Sequence, residues 1–139
     1  MNLQNLPRLA ATLLVLPLVF AVVGCSANDE LTCDGGRPVD DPQTAVRGLL
    51  EAAETTDYDK ACSVISLKLT NEAMNGPLTA LKHEMDSKEV TSSNFKMIEY
   101  DRGGSAHFYN IYAEQPDTPI EMTIVEIGKG YRIAFGEEP

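Results

Sequence analysis

Chemistry in this chain has to come from few side chains. Three of its 139 residues are cysteine and two are histidine: Cys25, Cys33, Cys62, His83 and His107. Cys33 and Cys62 lie far outside the Cys-x-x-Cys spacing of a redox pair or half a zinc site. His83 falls between Lys82 and Glu84 on the wet side of a helical pattern. With only Glu84 or Glu72 as neighbours it lacks the converging ligands a metal requires. Cys33-Asp34-Gly35-Gly36 is not followed by a strand–helix unit, so it does not read as a phosphate cradle. No Ser-His-Asp or Cys-His constellation can be drawn from motifs, and neither a cofactor nor a metal is expected. What remains is an aromatic run, His107-Phe108-Tyr109-Asn110-Ile111-Tyr112. Side chains alternate along a strand, so His107 and Tyr109 share one side while Phe108 and Tyr112 share the other. The expectation is a strand with one face in the core and an exposed histidine at its end. The sharper reading is a partner-binding sheet face, since exposed tyrosines favour interfaces.

The first cysteine stands at the end of a greasy segment. Leu9 to Val23, LAATLLVLPLVFAVV, carries no charge. It is shorter than the roughly 20 apolar residues of a membrane-spanning helix, and Pro17 interrupts it. Its length suits the apolar core of a secretory signal, preceded by Arg8. Val22-Val23-Gly24-Cys25 resembles the lipobox of bacterial lipoproteins, in which an aliphatic residue and small residues precede a cysteine. That resemblance implies a diacylglycerol on the Cys25 sulfur and cleavage just before Cys25. Two acyl chains, at roughly 0.8 kcal/mol per buried methylene, anchor far better than one. The chain is therefore expected to be tethered to the cell membrane, facing its extracytoplasmic side, and not to span it.

Cleavage there leaves 115 of the 139 residues, enough for one domain with a real core. It also removes Arg8 from the 11 Lys and Arg, leaving 10 against 21 Asp and Glu, a balance of −11. Such a surface repels nucleic acid and anionic headgroups and favours solubility. With Cys25 acylated, Cys33 and Cys62 form an even pair in an oxidising compartment. A bridge between them closes a loop of about 30 residues, worth roughly 3–4 kcal/mol in the chain-entropy model.

The elements divide cleanly. Residues 1–24 are the signal, 25–39 a polar tether rich in turn formers, and 40–139 the folded domain. Asp41 is a good N-cap and Pro42 fits the first helical position. Ala45, Val46, Leu49, Leu50 and Ala53 then give one apolar face, ending near Thr55. Asp57 can cap a second helix with Tyr58, Ala61, Cys62, Val64 and Ile65 inward. Asn75-Gly76-Pro77 predicts a break, with Pro77 opening a third helix that buries Leu78, Leu81 and Met85. Glu84 and Lys88, like Lys82 and Asp86, are spaced to pair on its outer face. After Val90 the period becomes two. Strands are expected over Phe95–Tyr100, His107–Ala113, Ile120–Ile127 and Tyr131–Phe135, with turns at Arg102-Gly103-Gly104 and Gly128-Lys129-Gly130. Helices first and an antiparallel meander after them make the fold class α+β.

The stretch DDPQTAVRGLLEAAETTDYDKACSVIS, with the closing hairpin GKGYRIAF, is similar to the cone-shaped α+β domains of the nuclear transport factor 2-like family. A cystatin-like arrangement, helices gripped by a curved sheet, is the rival. The family often places a short strand between its second and third helices, and none is convincing in Leu67–Asn75. The resemblance implies a pocket at the open end of a cone. In some relatives, such as ketosteroid isomerase and polyketide cyclases, an Asp or His there acts as general base. Asp101, His107, Tyr109 and Tyr112 are the candidates for pocket or partner face. A base of this kind needs burial or a partner to titrate near working pH, whereas Asp101 sits by a solvated turn. The leading expectation is a non-enzymatic envelope domain binding an unknown protein or small-molecule ligand. The alternatives are a pocket enzyme on a small apolar substrate and a structural accessory of an envelope complex.

Overall fold

The computed structural model describes residues 38–67, 69–114 and 117–136. The proposed leader, Cys25 and Cys33 lie outside them. Three helices, α1 (Pro42–Thr55), α2 (Tyr58–Val64) and α3 (Asn71–Ser87), precede four strands, β1 (Lys96–Gly103), β2 (Ala106–Tyr112), β3 (Ile120–Ile127) and β4 (Gly130–Ala134). The strands form one antiparallel meander in the order β1-β2-β3-β4. The class is α+β, as the order of periodicities predicts.

Capping sets the first two helices. Asp41 accepts from the Thr44 amide at 2.8 Å and Asp57 from the Lys60 amide at 3.0 Å, each satisfying an otherwise orphaned donor. Between them Thr56 takes a left-handed conformation, φ 55°, and its amide closes on the Ala52 carbonyl. The chain therefore turns sharply, and α2 crosses α1 where Gly48 leaves room for Val64. Just past α2, Ile65 bridges Ile133 in parallel sense and Ser66 donates to the Ile133 carbonyl at 2.8 Å.

The third helix corrects the sequence reading. It starts not at Pro77 but at Asn71, capped by the Thr70 hydroxyl on the Ala73 amide at 3.1 Å. Pro77 lies inside it. A proline normally disfavours helix in the residue before it by crowding that residue's Cβ, and here that residue is Gly76. Met74, fully buried, and Asn75, which accepts from the Tyr58 hydroxyl at 2.6 Å, hold the extra turn in place. On the outer face Lys88 pairs with Glu84 at 2.6 Å.

Strand register fixes which side chains face the helices. His107 opposes Ile124, Tyr109 opposes Met122, Ile111 opposes Ile120, and Ile124 opposes Ile133. All seven are buried, and the six other than His107 share one hydrophobic core with Val46, Leu49, Leu50, Leu78 and Met85 of the helical layer. The other face carries Ile98, Tyr100, Phe108, Asn110, Tyr112, Thr123, Val125 and Ile127 together with the charged Lys96, Asp101, Glu121 and Arg132. Ile98 and Tyr100 are 52% and 50% exposed, a large apolar surface for a chain this acidic.

Candidate functional site

The chemistry-bearing residues gather on the inner face, at the end of the sheet next to the β1–β2 turn. A register shift between Glu99 and Asp101 makes Tyr100 a bulge residue. In a regular strand Glu99 and Arg102, three apart, would point to opposite sides. The inserted residue restores them to one side, so Glu99 faces Tyr109 and Arg102 faces His107 across the ladder. Arg102 donates to Glu99 from Nε at 2.8 Å and from Nη2 at 3.2 Å, and the Tyr109 hydroxyl donates to the same carboxylate at 3.2 Å.

His107 is buried, not the exposed strand-end histidine the sequence predicts. The hairpin explains the difference. β1 runs on through Arg102 and Gly103, and the turn is Gly104-Ser105, with Gly104 at φ +62°. His107 is thus the second residue of a paired strand with neighbours on both sides. Its Nδ1 lies 3.3 Å from Glu99 Oε1 and its Nε2 lies 3.6 Å from Glu126 Oε2. The Tyr131 ring meets its edge at 5.9 Å. Neither ring nitrogen makes a hydrogen bond with the described residues.

The surroundings move the neighbouring groups away from neutrality. The Arg102 guanidinium holds the Glu99 carboxyl below its ordinary range. Burial, with the Glu99 charge behind it, pushes the Tyr109 phenol up. General acid–base catalysis needs the opposite, groups brought toward working pH. A carboxylate that already accepts three hydrogen bonds is a poor base. His107 also lines none of three surface clefts, which sit at the α1–α2 turn, beside Lys88 and Glu114, and between α3 and the β3–β4 hairpin.

The other candidates separate. Tyr112 points to the outer face, away from His107 and Tyr109, so the three do not converge. Asp101 is exposed, with its carboxylate accepting from the Arg102 amide at 2.8 Å. His83 is exposed on α3. No group of three or more metal-ligating side chains occurs among the described residues. Cys62 is disulfide-bonded; the pairing with Cys33 lies outside the described residues. Glu99, Arg102 and Glu126 belong to the cluster and were missed from sequence, where only a visible bulge signal would have aligned them.

What the chain presents outward is different in kind. Tyr100 and Phe108 lie with ring centroids 6.3 Å apart on the outer face, where Ile98 and, at the far end of β3, Ile127 are also exposed. Comparison with family models, curated proteins and solved structures finds no match.

Proposed function

We propose that this chain is a lipid-anchored domain of the cell envelope that binds a protein partner through the outer face of its sheet, without catalysis. The single observation behind this reading is the exposure of Ile98 and Tyr100 beside the Phe108 ring on the outer face, with the charged Asp101 opposite Phe108, Glu121 opposite Asn110 and Lys96 opposite Tyr112 around them. Exposed apolar surface rimmed by polar and charged groups marks interaction sites, and the charges of Lys96, Asp101 and Glu121 on this face favour partners of complementary charge. The anchor rests on the lipobox-like Val22-Val23-Gly24-Cys25. Three helices against a four-stranded antiparallel meander are compatible with the nuclear transport factor 2-like cone, with the cystatin-like arrangement as its rival. The enzyme alternative draws no support from a cluster whose carboxylate and phenol are driven away from neutrality.

Two experiments test this. A photo-crosslinking residue at Tyr100 in intact cells should give a discrete protein adduct, and the same residue at His83 should not. Equal adduct patterns at both positions would refute the binding face. Cys25→Ala should release the protein from the membrane fraction or leave unprocessed precursor. Unchanged partitioning would end the anchor hypothesis.

A further inference from the structure

A neutral imidazole has one N–H donor and one lone pair, whereas an imidazolium has two donors. His107 has a carboxylate facing each nitrogen, Glu99 at 3.3 Å and Glu126 at 3.6 Å, and hydrogen bonds at neither. In either neutral tautomer one lone pair lies beside a carboxylate. Only the doubly protonated ring offers a donor to both. The ring is 3% exposed, so water does not relieve the mismatch. We propose that His107 is a proton-operated clasp: protonation ties Glu99 of β1 to Glu126 of β3 through β2, and deprotonation lets one arm go.

The remaining groups around the ring fit this assignment. From β1, Arg102 already neutralises Glu99 through two hydrogen bonds, and from β2 the Tyr109 hydroxyl also engages Glu99. From β4, Tyr131 contributes the ring edge contact and no charge. Glu126 has a half-exposed carboxylate whose ion-pair partner is His107. It is therefore the arm that opens, while Glu99 stays held. The present separations exceed the roughly 2.7–2.9 Å of a charge-assisted bond, so closure requires shifts of a few tenths of an ångström to about 1 Å together with realignment of the ring N–H groups onto the two carboxylates.

The protonated ring gains both partners, so its contribution to stability is present where the ring is doubly protonated and fades as rising pH removes one proton. The test is a set of thermal melts of the intact protein between about pH 5 and pH 8, for wild type, His107→Gln and Glu126→Gln. Wild type should exceed His107→Gln by roughly 4–8 °C at the acidic end, the shift of about 1 kcal/mol in a domain this size, and the gap should close by the alkaline end. Glu126→Gln, at an exposed position, should flatten the wild-type slope without unfolding the protein. Nitrogen NMR of the wild-type imidazoles, with exposed His83 as internal reference, should show both His107 nitrogens protonated at the acidic end and one protonated at the alkaline end. Parallel melting curves for wild type and Glu126→Gln, or a single neutral tautomer of His107 throughout, would overturn the clasp. Those two readouts decide the matter even if His107→Gln does not fold.

Discussion

Gly130→Ala is the smallest change that tests how the chain is docked onto its own sheet. A Cβ at position 130 would lie 2.6 Å from Pro38 Cβ, 2.8 Å from the Val39 carbonyl oxygen and 3.0 Å from the Pro38 carbonyl carbon. Two of those three are backbone atoms, which cannot swing aside as a side-chain tip can. They belong to the segment that bridges β4, with Val39 donating to the Tyr131 carbonyl at 3.1 Å and Tyr131 donating back at 2.8 Å. The structure has two ways to respond. It can keep the bridge and absorb the overlap, at about 1–3 kcal/mol for overpacking. It can instead peel the segment off and lose two backbone hydrogen bonds, each worth about 0.5–1.5 kcal/mol net. Both routes predict a loss of about 1–3 kcal/mol. The sign is the diagnostic part. Where the native backbone suits alanine and space is open, Gly→Ala stabilises by about 0.4–1 kcal/mol through the unfolded chain. Urea unfolding at neutral pH gives the energy, and hydrogen exchange at the Val39 and Tyr131 amides shows which route is taken. Gly103→Ala, whose Cβ would meet only Phe108 at 3.9 Å, serves as the control and should stay within about 0.5 kcal/mol of wild type. A Gly130→Ala protein as stable as wild type, with both amides equally protected, would refute the docking argument.

Further outcomes follow from the helix cap and the disulfide. Asp41→Ala removes an N-cap that holds Thr44 through its amide and its hydroxyl, at 2.8 and 2.7 Å, and should cost about 0.5–2 kcal/mol in a neutral-pH melt. The Thr44 hydrogen bonds hold the Asp41 carboxyl below its ordinary value of 3.8. The stability it contributes is therefore present above that value and lost as pH falls through the lower folded one, so the gap between wild type and Asp41→Ala should close on strong acidification. Cys62→Ser should lower stability by about 2–5 kcal/mol, measured by denaturant unfolding under oxidising conditions. Non-reducing peptide mapping should recover Cys62 joined to Cys33; recovery joined to Cys25 would contradict both the pairing and the acylation.

Much of the fold is legible because its signals are local. Asp41-Pro42 and Asp57 mark helix starts by chemistry that acts within one turn, and both do so in the structure. Gly128-Lys129 closes the β3–β4 hairpin with Ile127 opposite Gly130, and Ile120, Met122 and Ile124 alternate inward as their spacing requires. The misreadings come where a local signal is overruled by packing. Pro77 breaks helices on average, yet Gly76 before it and buried Met74 one turn back keep α3 continuous. His107 looks like a strand end because Arg102-Gly103-Gly104 looks like a turn, yet ladder pairing of Arg102 with His107 and Gly103 with Ala106 carries the hairpin further.

The bulge at Tyr100 links the two faces of the sheet, which is why neither could be read alone. Strict alternation would send Arg102 outward, away from Glu99, and would leave an unpaired carboxylate facing buried His107 and the Tyr109 hydroxyl. Leaving that charge without a cationic partner beside a buried ring is costly. One inserted residue removes the problem and has a second consequence. Tyr100 faces outward with or without the insertion, and its ring lies against Phe108; the insertion adds Asp101 to the same outer side, opposite Phe108. The insertion that returns Arg102 to the inner polar cluster thus also sets a carboxylate, Asp101, on the outer face. A change in how firmly Glu99 is held, by Arg102 or by a protonated His107, acts on the backbone immediately next to Tyr100. A single peptide unit separates Glu99 of the inner cluster from Tyr100 of the outer patch.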